Sequence, residues 1–539
     1  MNERKKRTNL IRQSGTASVW EWPCLLLFGI LTVYLSHRIG MQGISYLAFP
    51  VLLYLLLSRW VGMTSREMIA RRVSFYRTRD AFLSANKCFH VICIAENILM
   101  IGILAAVFIL SDQISLLLFH TVLCSLGLKL VSVATLIRIW TLAQGGYLEG
   151  MGIGAPMKVA NLVAAVSSLV VAFFTSGPLS DYAKKISDLM RTESYYYAYM
   201  SVLGTGSVLV GNLLAALVML CLKAALMKRI HRIYDGGASK NSKPVSEIVF
   251  DYLQQLLSRG VRECFLYLPL ILICGIAMHT RTEDGMWIGS FMTALLLLFL
   301  PPLLLQRHIT MVTMRGLTRE IKARNLPGLR ERMALCLKVL MYCVLPYLTL
   351  LLSMARPIGK TLFDTEEEMF AMSIRFGVWV SLFAVLALFA NGVISVTFSK
   401  AGANLLLSGG SIMILLLGIV FLKKQEMAPE KAIMLSLLIS MAVLLVVHGI
   451  LIWNRLHFCE DLLRIFVLTM VSSVVLGLLA FIICHVMPDN PISVLLGAVL
   501  GSLSYVICIV MTHTFDPHEW HNVPGSAFPV SFAKYFKLY

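Results

Sequence analysis

Apolar runs of about 20 residues, the length that crosses the hydrocarbon core of a bilayer as a helix, recur along almost the whole chain. They fall at 17–37, 43–64, 88–110, 117–142, 156–175, 198–226, 262–280, 286–306, 333–355, 370–392, 402–422, 430–453, 463–486 and 491–513. The pattern predicts an all-α polytopic membrane protein with about 14 transmembrane helices. Composition agrees: of 539 residues 58% are apolar and 14% charged. Soluble domains are less apolar and carry nearly twice the charge. An ordinary soluble enzyme, a disordered chain and a secreted disulfide scaffold are excluded. The fourth run is the least regular. Arg138 interrupts it, and its polar end merges into 145–154.

The formal net charge is +18, and its placement gives the topology. Basic residues follow the second run (Arg66, Arg71, Arg72, Arg77, Arg79, Lys87), the sixth (Lys228, Arg229, Arg232, Lys240, Lys243) and the eighth (Arg307, Arg315, Arg319, Lys322, Arg324, Arg330, Arg332). The opposite connections are mixed or acidic, as at Asp181, Asp188, Glu283, Asp364 and Glu366. This is the positive-inside pattern, and it puts both termini in the cytoplasm. The excess charge then serves topology and anionic headgroups rather than nucleic acid. A basic N-terminus (Arg4, Lys5, Lys6, Arg7) precedes an apolar run without a small-residue cleavage site, which reads as a retained first span. The 12 cysteines are scattered with no CxxC spacing, so neither disulfides nor a metal site is expected.

A polar stretch rich in Gly, Ser and Asn at 228–246 reads as a flexible linker. The expected organisation is a six-helix half (1–226), a cytoplasmic linker (227–261), a second six-helix half (262–453), two extra helices (454–513) and a cytoplasmic tail (514–539). The halves look related. The basic stretch at 66–87 recurs at 315–338, with Arg71 and Arg319 lying 248 positions apart, and the same offset sets Gly154-Ala155 on Gly402-Ala403. Halves of six spans have parallel topology, which implies a central cavity and transport by rocking one half against the other.

Several segments carry a family likeness. Gly40-Met41-Gln42-Gly43-Ile44-Ser45-Tyr46-Leu47-Ala48-Phe49-Pro50 resembles the second-helix opening of the stage V sporulation protein B-like polysaccharide exporters. These form a branch of the multidrug/oligosaccharidyl-lipid/polysaccharide (MOP) superfamily that handles O-antigen and lipid-linked oligosaccharides. The stretch 65–85 resembles that family's basic loop. Gly145-Gly146-Tyr147-Leu148-Glu149-Gly150 resembles its motif between the fourth and fifth helices, usually Arg-Gly-Tyr-Phe-Gln-Gly. Gly145 stands here for the Arg and Glu149 for the Gln, and the counterpart motif is blurred into 395–402. Pro301 and the stretch 315–331 fit its eighth helix and following loop. The MurJ-like branch is more distant: it carries a cavity cation in the eighth helix, where 289–300 is apolar here. The resemblance implies a flippase of the bacterial cytoplasmic membrane. It would move a polyprenyl-pyrophosphate-linked saccharide by alternating access during envelope polysaccharide synthesis, alongside glycosyltransferases or polymerases. Such a headgroup cannot cross hydrocarbon unaided. No bond is made or broken, so no enzyme activity, catalytic residue or bound cofactor is expected. Coupling to an H⁺ or Na⁺ gradient or to membrane potential stays open. The alternatives are a cation-coupled drug or metabolite antiporter of the same superfamily and a non-transporting scaffold.

Ionisable groups at membrane depth are the site candidates. Arg138 reads either as a cavity cation for pyrophosphate or as a structural partner of Glu149. Glu96 with Asn97 reads as a coupling or cavity site, or as interhelical hydrogen bonding. Arg307 and His308 read as an inner gate or headgroup site, or as markers of the interface. Arg38 and Arg375 read as outer-gate groups or anchors, and Glu21, between Trp20 and Trp22, as an inner-gate group or part of an aromatic belt. His448 reads as a titrating group or as a simply hydrogen-bonded one. Gly145, Gly146, Tyr147, Glu149 and Gly150 read as a hinge or a turn. Asp516-Pro517-His518-Glu519-Trp520-His521 offers a weak metal-ligand set. No Walker A motif is present, so ATP is not a direct driver.

Overall fold

A computed structural model describes residues 16–119, 121–233, 244–280, 286–363, 367–398, 410, 412–421, 429–457, 463–487, 490–523 and 525–535. The described residues are helical, with no strand among them. The helices are α1 (Thr16–Leu57), α2 (Met63–Arg77), α3 (Phe82–Ile109), α4 (Ser111–Phe119), α5 (Ser125–Gly150), α6 (Ala155–Met190), α7 (Glu193–Ile233), α8 (Val245–Thr280) and α9 (Met286–Lys322). They continue as α10 (Leu326–Ser353), α11 (Ala355–Phe363), α12 (Glu367–Phe398), α13 (Ile412–Phe421), α14 (Pro429–Leu456), α15 (Thr469–Val486), α16 (Pro491–Met511) and α17 (Ala527–Tyr535). Among the described residues, 11 helical stretches are long and apolar enough to cross a membrane. Among the described residues, all fourteen predicted spans meet a helix, the eleventh only over 410 and 412–421, since 402–409, 411 and 422 lie outside the described residues. Two share the stretch Trp20–Arg77, one lies in α8, and one is represented by the short α13.

The first two spans show how the backbone manages the length. A 42-residue helix would be about 63 Å long, twice the hydrocarbon thickness. Gly40 breaks it with φ 66° and ψ 172°, a left-handed conformation that glycine adopts without Cβ strain. A π-helical turn at Ser58–Gly62 then leads into α2. The basic stretch after the second span is thus itself a helix, not a loop. The fourth span also differs from its predicted limits: α4 is a separate nine-residue helix, and the span runs from Val122 to Gly150. Asp112 on α4 is held below the ordinary carboxylate range by hydrogen bonding to Ser125 and Lys129.

Contacts divide the chain into two compact units. One is Pro23–Gly289; the other is Ser290–Tyr539 together with the residues up to Trp22. The helix carrying the seventh span therefore packs in the first unit, although the sequence reading places it at the start of the second half. Its N-terminal part occupies the expected linker. Residues 245–261 are helical and fixed to α2 by Arg72–Asp251 and by Arg259–Glu67 at 2.8 Å, and to the π-helical turn before it by Trp60 Nε1 donating to the Leu256 carbonyl at 2.9 Å. The rest of that linker's glycine-rich core, at 234–243, lies outside the described residues. In the same unit α6 and α7 meet along small residues. A Cβ on Gly211 would sit 2.7 Å from the Ala164 carbonyl oxygen, the close approach that membrane helices use where lipid gives no hydrophobic drive.

In the second unit α15 and α16 pack beside α10. Tyr505 donates to the Tyr342 carbonyl at 2.9 Å, and Tyr347 donates to the Leu297 carbonyl at 2.7 Å. The expected tail is not a loose end. Phe515 is 0% and Trp520 2% exposed, and Glu519 accepts from Lys338 Nζ at 3.0 and 3.2 Å. Glu519, weighed with His518 as a metal ligand, is taken up by that lysine.

The internal repeat is present at a different spacing. α3 and α10 each have 28 residues, and α4 and α11 each have nine. Asp80 and Arg324, which precede α3 and α10, share a left-handed φ of 52° and 54°. Each pairing gives an offset of 244 (326 − 82, 355 − 111, 324 − 80). Aligning Arg71 with Arg319 overshoots by four residues, about one helical turn. Arginines one turn apart occupy equivalent places on a solvated helix face, so charge alone leaves the register free by that amount.

Lys338 is 3% exposed, and breaking a buried ion pair typically costs about 3–5 kcal/mol. Glu519→Gln is expected to lower the thermal midpoint of the detergent-solubilised protein by several degrees. Lys338→Met combined with Glu519→Gln should recover most of the loss, because no uncompensated charge is then buried. An unchanged midpoint in Glu519→Gln would show that the tail contributes nothing to the fold.

Candidate functional site

Glu96 and Asn97 are adjacent on α3, so they point about 100° apart around the helix. Glu96 turns inward and is 1% exposed. The Ser65 hydroxyl of α2 lies against its carboxyl, and Ser65 Oγ is 3.1 Å from the Tyr252 hydroxyl of α8. Oε1 of Glu96 has no hydrogen-bond partner among the described residues. An ionised carboxylate cannot be buried uncompensated without a cost of several kcal/mol, so the pocket calls for a proton or a cation as partner. Asn97 faces the other way. It lines a cavity of about 470 Å³ between α3, α5 and α7, with Cys93, Trp140, Gln144 and Lys223.

The glycine motif is a packing surface. Gly145, Gly146 and Gly150 all lie inside the continuous helix α5. A Cβ on Gly146 would come within 2.5 Å of the Arg66 carbonyl oxygen, and one on Gly150 within 2.9 Å of the Ala70 carbonyl oxygen. The turn follows at Gly152, with φ 87°. Across this contact Arg66 Nε donates to Glu149 Oε2 at 3.0 Å and the guanidinium also reaches Oε1. Glu149 is therefore the partner of Arg66 on α2, not of Arg138. The reason is geometric: Arg138 lies about three turns back along α5 and is half-buried, with no ion pair among the described residues. Tyr147 is 0% exposed, with its ring 4.5 Å from that of Phe89.

In the second unit three candidates that are far apart in sequence come together. Glu21 lies 3.8 Å from Arg307 and 3.4 Å from His308 Nε2. His308 is 4% exposed, whereas Glu21 and Arg307 keep partial access. The arrangement sets one carboxylate against two basic side chains. Arg38 is not part of it: it is exposed, its guanidinium 5.8 Å from the centre of the Tyr34 ring. Arg375 is exposed as well. His448 Nδ1 donates to the Leu444 carbonyl of its own helix at 2.8 Å, which matches the hydrogen-bonded reading. Residues 399–409, with Gly402 and Ala403, lie outside the described residues.

The sequence reading does not single out Lys223. Its signal was a lone lysine inside the run 198–226, five positions before Lys228, where it merges visually with the basic flank. Its partner Gln144 and the aromatic residues beneath it carry no motif.

No family model matches the chain, and no curated protein matches its sequence. Solved structures do match its fold. A lipid II flippase MurJ in an inward closed conformation superposes with a TM-score of 0.65 at 12% identity, over 92% of this chain and 98% of that one. An inward-facing multidrug resistance MATE family transporter of the MOP superfamily gives 0.59 at 14% identity, over 81% of this chain and 96% of that one. A MATE protein in the straight conformation gives 0.56 at 15% identity, over 84% and 98%. The chain shares the fold of these transporter structures.

Adding even one methyl at Gly146 must push α5 off the α2 backbone. Gly146→Ala is expected to destabilise by about 1–3 kcal/mol, the usual scale of overpacking. Gly29→Ala and Gly102→Ala, where nothing lies within 4 Å, should leave the thermal midpoint unchanged or slightly raised. Equal midpoints for all three would remove the packing role of the motif.

Proposed function

We propose that this protein is a membrane flippase that carries a polyprenyl-pyrophosphate-linked saccharide across the bacterial cytoplasmic membrane by alternating access, with the basic ends of its spans in the cytoplasm. The observation that carries this reading is the Glu21, Arg307 and His308 cluster. It places two basic side chains and one displaceable carboxylate at the end of the eighth predicted span. A pyrophosphate is the kind of anion for which Arg307 would leave Glu21, since Arg–phosphate pairs are charge-assisted and often bidentate. The greater coverage of this chain by the flippase than by the MATE structures supports the flippase over the antiporter reading. Arg138, half-buried and without an ionic partner among the described residues, is the second group we assign to the headgroup. The glycosyltransferases or polymerases of the same pathway are its expected partners.

Glu96 is assigned to coupling. Its carboxyl, with the hydroxyls of Ser65 and Tyr252, can hold a proton or a monovalent cation between α2, α3 and α8. A proton or Na⁺ there would link the ion gradient to the position of three packed helices.

Depletion of the protein is expected to accumulate one polyprenyl-linked saccharide on the inner leaflet, read by mass spectrometry of extracted lipids against a matched control. No accumulation under an effective depletion would sink the flippase and leave the antiporter or scaffold. Arg307→Ala and Arg138→Ala should each abolish complementation while the protein remains in the membrane. Glu96→Gln should retain substrate binding but remove the dependence of transport on the ion gradient; a gradient dependence equal to that of the wild type would exclude Glu96.

A further inference from the structure

The cavity between α3, α5 and α7 has features that neither the gate cluster nor Glu96 uses. Lys223 closes one side of it. Its Nζ donates to Gln144 Oε1 at 2.6 Å and lies 4.3 Å from the centre of the Phe89 ring and 5.0 Å from that of Tyr147. An ammonium has three donors. One is taken by a neutral amide, and no carboxylate pairs with Lys223 among the described residues. The aromatic faces fix the cation in place without cancelling its charge. Besides Gln144, Asn97 and His90, the lining is apolar, with Phe89, Ile94, Trp140, Leu220 and Met227.

The groove opens on a face that continues as exposed apolar surface. Ile94 is 58%, Ile98 70% and Ile101 54% exposed along α3, and Leu217 52% and Leu220 47% along α7. A contiguous apolar patch of this extent on membrane-spanning helices belongs against acyl chains. At the other end of the same α3 face stand His90, which lines the cavity, and the exposed Lys87. The order along the groove is therefore cationic, then amide, then hydrocarbon. Lys223 lies four residues before Met227, where its candidate span ends, about 6 Å along the helix, so it stands at the end of the span where headgroups are met.

We infer that this groove is a binding site for one resident anionic phospholipid, its phosphate against Lys223 and one acyl chain along α3 and α7. Charge complementarity selects the headgroup: a zwitterionic lipid would bring its own cation to a site that already holds one. The apolar lining selects a lipid over a free anion. The site goes beyond the flippase reading and stands whether or not the protein transports a saccharide.

The test is native mass spectrometry of the full chain in detergent with added phosphatidylglycerol or phosphatidylcholine of matched chains. Phosphatidylglycerol should be retained roughly tenfold better, the worth of one charge-assisted hydrogen bond. Lys223→Gln should lose that preference and Lys223→Arg should keep it. A second measurement does not depend on the variant folding. Brominated-chain phosphatidylglycerol should quench tryptophan emission in wild-type protein, and Trp140→Phe should remove that component, while brominated phosphatidylcholine quenches less. Equal retention of the two lipids, an unchanged preference in Lys223→Gln, displacement by millimolar inorganic phosphate, or stoichiometric displacement by a polyprenyl phosphate would each overturn a resident phospholipid site.

Discussion

A helix carrying four arginines can pack against apolar spans only where its charges are met and its backbone can be approached. α2 (Met63–Arg77) satisfies both conditions, and the first unit is assembled around it. Gly146 and Gly150 let α5 reach its backbone, and Glu149, on the same face, meets Arg66. Asp251 and Arg259 tie it to α8, and Ser65 links it to Tyr252 beside Glu96. Ion pairs of this kind contribute modest net stability, but removing one partner leaves a charge in a site of low dielectric. The same contacts thus fix one arrangement of three helices and surround the carboxyl assigned to coupling.

The second unit has different chemistry at the related positions. Thr310 occupies the place related to Arg66 by the 244-residue offset and brings no charge to it. Gly392 on α12 lies two residues past the counterpart of Gly146 and meets the Thr310 side chain rather than its backbone, with a Cβ that would lie 2.6 Å from Cγ2. This unit carries its buried charge elsewhere, in Lys338 with Glu519, and its partly accessible charge in Glu21 with Arg307 and His308. One unit holds a carboxyl with no counter-charge among the described residues, and the other holds two basic side chains beside one carboxylate.

The fold was legible in the sequence because bilayer thickness sets a length that apolar runs must match. The described parts of these runs lie on helices for that reason. Glu96 and the Arg307–His308 pair were also legible, since charge inside an apolar run is costly and therefore marked. Lys223 was not, because a lysine near a span end reads as an interfacial anchor until Gln144, Phe89 and Tyr147 are seen to hold it inward. The glycine motif was legible but its packing against α2 was not: periodicity cannot show which neighbouring backbone a glycine admits.

By itself the sequence determined the all-α membrane class and the places of its apolar helices, since these follow from local hydropathy along the chain. Partnership was decided only by tertiary structure. Glu149 chose Arg66 over Arg138, residues 245–261 became a helix on α2, and the tail buried Trp520 and gave Glu519 to Lys338. The repeat offset settled at 244 once left-handed residues and helix ends fixed it. In each case a side chain had several acceptable partners at similar sequence distance, and the choice followed from which helix faces packing brought within reach.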